Sequence, residues 1–179
     1  VYRIEAYGKD YAGNRSATVT EEVRLDAAAP VTGWAKDGTL GDNEWYVSDV
    51  TVRLLPTDNV SGIASTRYRI NETEWKTGLQ FLMADDGIYN LSFASVDNAG
   101  NEEAPVARSL KIDTVAPAAP TATQVVPSAW TNVNAFDVTW TAPGDLSGVA
   151  GAYYKLDEAP TGPRDGILVT GTNRIDDLA

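Results

Sequence analysis

Six residues set the organisation of this chain. Asp10, Ala12, Gly13, Asn14, Asp26 and Pro30 return in the same order as Asp97, Ala99, Gly100, Asn101, Asp113 and Pro117, each 87 residues later. A period of that length, with turn residues at fixed offsets, describes an array of small domains rather than one large fold. Apolar positions return with the turn: Tyr2 falls on Tyr89, Ile4 on Leu91, Ala6 on Phe93, Val23 on Leu110 and Leu25 on Ile112. A second match, offset by 86, sets Val60-Ser61-Gly62-Ile63 on Leu146-Ser147-Gly148-Val149 and Tyr68-Arg69-Ile70-Asn71 on Tyr154-Lys155-Leu156-Asp157. One residue of slippage is what a surface loop absorbs. The expected parts are the closing strands of one unit over residues 1–30, a complete unit over 31–117 and the opening part of a third over 118–179. Val1 falls in mid-strand, so the chain reads as a fragment cut inside domains at both ends.

Within the complete unit the apolar residues alternate, which is the mark of half-buried strands. Val50, Val52 and Leu54 share a face, as do Ala64, Tyr68 and Ile70, with Arg67 and Arg69 on the opposite side. A strand from Gly87 to Val96 turns Tyr89, Leu91 and Phe93 inward, and one from about Val106 to Ile112 does the same with Val106, Leu110 and Ile112. Glycine and asparagine cluster between them, at Gly41-Asp42-Asn43, Asp58 to Gly62, Asp85-Asp86-Gly87 and Asp97 to Asn101. These residues supply the positive φ that tight turns need. No segment sustains a period of 3.6. Six or seven short strands in about 87 residues predict an all-β fold of tandem antiparallel immunoglobulin-like β-sandwiches, one complete and two truncated.

Two details refine the expectation. Asp86-Gly87-Ile88-Tyr89 has the form of a tyrosine corner, in which the ring enters the core and the hydroxyl returns to the backbone; a plain core tyrosine is the alternative. Trp45, Trp130 and Trp140 align with strand positions expected to face the core, whereas Trp75, between Glu74 and Lys76 in a polar connection, is expected to be exposed.

Composition narrows the chemistry. The chain has 43% hydrophobic and 22% charged residues, a balance that supports folded domains. A net charge of −11 repels nucleic acid and anionic lipid, so neither is an expected partner. Cysteine and histidine are both absent, which removes disulfides, thiol nucleophiles, imidazole triads and zinc sites built on those ligands. No apolar run reaches the ~18 residues of a membrane helix, so no membrane insertion is expected in this segment.

The run Trp45-Tyr46-Val47-Ser48, then Thr57-Asp58-Asn59, Ser61-Gly62, Tyr68 to Asn71, Trp75, Asp86-Gly87 with Tyr89, Asp97 to Asn101 and Ile112-Asp113-Thr114 with Ala116-Pro117, resembles bacterial immunoglobulin-like repeats. The most similar subgroup is named after a spirochaete outer-membrane protein. The resemblance spans the complete unit and the matching parts of the partial ones. It implies a non-enzymatic repeat of large secreted or cell-surface bacterial proteins, often placed beside catalytic or sugar-binding domains. The third unit departs after Asp157, where Glu158 to Pro163 replaces the tryptophan region and leans toward a fibronectin type III-like variant.

Adjacent carboxylates occur at Glu21-Glu22, Asp85-Asp86, Glu102-Glu103 and Asp176-Asp177. Neighbours on a strand point to opposite faces, so these are read as solvated charge and not as an acid and base pair. Ser61-Gly62 and Ser147-Gly148 lack a base and a nucleophile-elbow pattern. A better constellation follows from topology. In an immunoglobulin-like sandwich two loops and the incoming linker meet at one end, which is expected to bring Asp26, Asp58 and Asp97 together as ligands for calcium. The same logic pairs Asp113 with Asp145 at the next junction. The alternative is that Asp58 and Asp97 only brace their own turns through bonds to backbone amides.

The functional expectation is a non-catalytic structural spacer, outside the cell or on its surface, whose partners are neighbouring domains of the same chain. Linkers Ala27-Ala28-Ala29-Pro30 and Thr114 to Pro120 are short and proline-bearing, which favours extended paths. The alternative is an adhesin or carbohydrate-binding module with calcium-rigidified junctions, binding cell-wall, matrix or carbohydrate ligands.

Overall fold

The computed structural model describes residues 1–130, 132, 137–155, 158–159, 161–162, 164–170 and 174–175. Asp176-Asp177 and Asp157 lie outside these. Among the described residues, apart from a short 3-10 turn at Asp42–Glu44, every regular element is a strand. The chain divides into two compact units, Val1–Ile112 and Asp113–Ala179.

The first unit opens with a hairpin of β1 (Tyr2–Ala6) and β2 (Val19–Val23). Eight strands follow: β3 (Val31–Asp37), β4 (Trp45–Tyr46), β5 (Val50–Thr57), β6 (Ile63–Ile70), β7 (Lys76–Thr77), β8 (Gln80–Met83), β9 (Gly87–Asp97) and β10 (Val106–Ile112). They form a three-stranded sheet, β3-β5-β8, and a five-stranded sheet, β4-β10-β9-β6-β7. Alternation drives them together. Val50, Val52, Leu54 and Met83 from the smaller sheet meet Tyr46, Leu91, Phe93, Leu110 and Ile112 from the larger in one buried core. A β-sandwich results because each sheet has one apolar face and neither can bury it alone. Tyr68 of β6 and Phe81 of β8 stack across the layers with centroids 4.0 Å apart.

Two strand expectations need correction. The sandwich is not wholly antiparallel, because β4 runs parallel to β10 through Lys111 opposite Trp45 and Ile112 opposite Tyr46. Ala64, expected inside with Tyr68 and Ile70, is exposed. The register between β6 and β9 shifts between Ile63 and Ser65, and such a bulge turns the residues before it off the inner face.

The tyrosine corner forms. Tyr89 packs against the core while its hydroxyl donates to the Asp85 carbonyl at 2.7 Å. A Cβ at Gly87 would lie 3.1 Å from the Tyr89 ring, so glycine leaves room for the ring to fold back. The tryptophans are less regular. Trp130 is fully exposed, contrary to expectation, and Trp45 and Trp140 are half-buried. In β4 the alternation gives the interior to Tyr46, which leaves its neighbour Trp45 on the other face. Trp130 has no regular strand around it among the described residues, so no alternation turns it inward. Trp75 is half-buried rather than exposed. The guanidinium carbons of Arg67 and Arg69 lie 4.6 and 5.0 Å from its ring centroid.

The second unit contains β11 (Thr121–Val126), β12 (Asp137–Thr141), β13 (Gly151–Tyr154), β14 (Ile167–Thr170) and β15 (Arg174–Ile175). They pair as β11-β12-β15 and β13-β14. At the start of this unit the Asp113 carboxylate accepts hydrogen bonds from the Val115 and Ser147 amides.

Candidate functional site

Turn chemistry builds the site from three segments. Asp97 closes β9 on the inner-face parity of Leu91 and Phe93, and only 1% of it is exposed. Its Oδ1 accepts from the Ala99 and Asn101 amides at 2.9 and 2.8 Å, and its Oδ2 accepts from Asn101 Nδ2 at 2.8 Å. Gly100 follows at φ 92°, the left-handed region a side chain rarely adopts. Asp58, after β5, accepts on Oδ1 from the Val60 and Gly62 amides at 3.1 and 2.6 Å. Asp26, in the incoming linker, accepts from the Ala28 amide on Oδ1 at 3.1 Å and from the Ser61 amide on Oδ2 at 2.9 Å. Asn101 ties the segments together by donating from Nδ2 to the Asp26 carbonyl at 3.2 Å.

One carboxylate oxygen from each of Asp26, Asp58 and Asp97 lies within 4.8 Å of the other two. Two ligands of one calcium ion at 2.3–2.6 Å can stand up to about 5 Å apart, so the spacing suits a shared ion. The same carboxylates also serve their own turns, through the amide bonds above. Both roles fit, since an oxygen that accepts one N–H retains a lone pair for a cation.

The amides explain how three like charges coexist. Hydrogen bonds from Ser61, then from the Ala28 amide, hold the Asp26 carboxyl below the usual aspartate value, against burial and the nearby Asp97 charge. At Asp97 burial opposes ionisation, yet the Asn101 side chain and the Asn101, Ala99 and Gly100 amides outweigh it and lower the pKa. The Asp26 and Asp97 carboxyls are therefore ionised at neutral pH, as a cation site requires.

The second junction repeats half of this. Asp113 Oδ2 accepts from the Ser147 amide at 2.9 Å and Oδ1 from the Val115 amide at 3.2 Å. Asp145 Oδ1 accepts from the Ser147 amide at 3.1 Å and its hydroxyl at 2.8 Å. Hydrogen bonding from Ser147 leads the causes that lower the Asp113 pKa. No third carboxylate joins them among the described residues.

A second polar group escaped the sequence reading. Glu103 accepts from the Thr32 amide at 2.8 Å, from the Thr32 hydroxyl at 2.6 Å and from the Ser95 amide at 3.2 Å. The parity of β9 was the available signal, because Ser95 and Asp97 continue the inward face of Leu91 and Phe93. Of the pair Glu102-Glu103, read from sequence as solvated charge, only Glu102 lies on the exposed surface, and Glu103 is half-buried. Glu102 pairs with Arg67, while its neighbour Glu103 turns to Thr32.

No helix among the described residues is long and apolar enough to cross a membrane. No protein-family model matches the chain, and no curated protein matches it significantly.

Proposed function

We propose that the chain is a non-catalytic spacer of tandem immunoglobulin-like sandwiches in a large secreted or surface protein of bacteria. The observation that carries this reading is a repeated fastening. The linker aspartate grips the serine amide of the following loop at 2.9 Å in both copies, Asp26 on Ser61 and Asp113 on Ser147. Each carboxylate also binds the amide two residues on, at Ala28 and Val115. A linker pinned in this way cannot swing freely, and a presenting rod needs stiff entries into each domain. The absence of cysteine and histidine, together with carboxylates committed to turns and ion pairs, agrees with a role outside catalysis.

Small-angle scattering on dilute monomer tests the reading. An elongated distance distribution is expected, and Asp26→Ala with Asp113→Ala should broaden it. A compact globular profile, unchanged by the substitutions, would overturn the spacer.

The spacing of Asp26, Asp58 and Asp97 favours a second element, calcium held at the junction, which would stiffen the entry further. An adhesive or sugar-binding role has less behind it. The Trp75 ring lies against two guanidinium groups, and a lone exposed Trp130 is not a stacking platform.

A further inference from the structure

Inside the complete sandwich, strand β10 is covered on one side only. Strand β9 pairs with its whole length, from Val106 to Ile112, whereas β4 on the other side meets only Lys111 and Ile112. The gap is built locally. Asn43 and Glu44 stand at φ 52° and 65°, which ends extended backbone just before Trp45, so β4 cannot reach further along its neighbour. Among the described residues no strand lies on that side of Val106 to Leu110. An edge of this kind keeps backbone N–H and C=O groups free for an added strand.

Beside the edge, between the two sheets, lies a cleft of about 190 Å³. Trp34 and Lys36 of β3, Glu44, Tyr46, and Leu110 and Lys111 of β10 are among its walls. Lys36 Nζ sits 4.7 Å from the Trp34 ring centroid and 5.3 Å from that of Tyr46, and Lys111 Nζ lies 5.9 Å from that of Trp45. Arg108 has the inner-face parity of Val106 and Leu110 yet is exposed. Among the described residues, Arg53, Arg67 and Arg69 each have a carboxylate partner, and Lys36, Arg108 and Lys111 have none. Glu44 is the single carboxylate lining the cleft. On a chain of net charge −11 this is a local reversal of sign.

An inward-pointing charge on an edge strand also has a protective use, since it keeps like edges from pairing. The repeat separates that use from binding. Glu21 lies opposite Ile4 as Arg108 lies opposite Leu91, so a charge of either sign serves at this position. What belongs to this unit is the positive sign, together with Lys36, where the repeat has Ala122 or Thr123. Cations on an edge repel a second such edge and admit a strand that carries carboxylates.

We infer that the Val106 to Leu110 edge is a docking site for an extended acidic peptide, which adds to β10 as a strand in line with β4. Main-chain hydrogen bonds hold such a strand, and every second side chain turns inward. Carboxylates at those positions face Arg108 and Lys36, over the aromatic wall of Trp34 and Tyr46. The site does not depend on the spacer reading.

The test uses the 179-residue chain and a dye-labelled peptide alternating glutamate and valine, with both ends blocked. Fluorescence anisotropy at low salt should show saturable binding with a Kd below about 1 mM. The double substitution Lys36→Glu and Arg108→Glu should weaken it by about tenfold or more. Both side chains are exposed, so the melting transition of the sandwich checks that the variant folds. The same peptide with N-methylated valines cannot donate along the edge and should not bind. A lysine and valine peptide should not bind either. No saturable binding of the acidic peptide overturns the proposal, as does binding that the double substitution leaves unchanged. Equal binding of the N-methylated peptide would mean capture by charge alone and overturns strand addition. Binding of a galacturonate oligomer but not of the peptide would assign the cleft to acidic sugars and overturns it as well.

Discussion

Thr32 Oγ1 lies 2.7 Å from Ser95 Oγ, so a hydrogen bond joins the two sheets inside the sandwich. Its direction follows from its neighbours. Glu103 only accepts, and it takes the Thr32 proton at 2.6 Å. Ser95 must then donate to Thr32, and Thr66, 2.9 Å from Ser95, donates to Ser95 in turn. Thr32, Thr66 and Ser95 are all buried.

Substituting Thr32→Val keeps the shape and removes the hydroxyl, leaving Ser95 and Glu103 each short of a partner. A loss of about 1–3 kcal/mol is expected from the stranded polar groups. Chemical denaturation at neutral pH checks it, and an unchanged midpoint would mean that water replaces the hydroxyl.

Tyr89→Phe tests the corner alone. The ring stays in the core while the bond to the Asp85 carbonyl is lost, so the cost should be about 0.5–1.5 kcal/mol. Phe93→Ala, by contrast, opens a void between the layers and should cost about 3–5 kcal/mol. Equilibrium unfolding of the two variants side by side should give that order.

Acid should weaken the fold through the turn carboxylates. Asp10, Asp26, Asp97 and Asp113 all have folded pKa values below the ordinary 3.8. A lowered folded value means the unfolded chain binds the proton more tightly. The contribution is therefore complete above 3.8 and disappears as pH falls through the folded values. Melting temperature should hold between neutral pH and about 5 and drop below about 4. Asp97→Asn should lower the neutral melting temperature and flatten that acid limb, because its amide sets N–H against N–H at one of its two faces. A steep limb retained in Asp97→Asn would assign the effect elsewhere.

Calcium should raise the melting temperature of the sandwich if Asp26, Asp58 and Asp97 share an ion. At 100 times the dissociation constant the gain is about 2.7 kcal/mol. Asp58→Asn should abolish the calcium response. No calcium-dependent shift in the unsubstituted chain would leave the aspartates with their turns alone.

Much of this fold was legible because the repeat and the strand period are both written in residue spacing. The core pattern of β5, β9 and β10 followed from Val50, Val52, Leu54, Leu91, Phe93, Leu110 and Ile112 on period two alone. The meeting of Asp26, Asp58 and Asp97 followed from topology, which turn residues mark well. What escaped depends on tertiary partners. Serine and threonine on a strand look solvated until a carboxylate such as Glu103 is placed beside them. Two-residue strands such as β4 leave no periodic trace. Trp75 was misjudged because its cover comes from Arg67 and Arg69, residues on the outer face of another strand.

The bonds from Asp26 to Ser61 and from Asp113 to Ser147 bear on how such an array grows. The segment that travels as a self-consistent piece runs from one linker aspartate to the residue before the next, Asp26 to Ile112, and not from proline to proline. Gene duplication with that phase delivers every new copy with its own latch for the loop it must hold. A piece cut between Asp26 and Ser61 would instead borrow its latch from the copy before it, so the self-contained piece is marked out by protein hydrogen bonds.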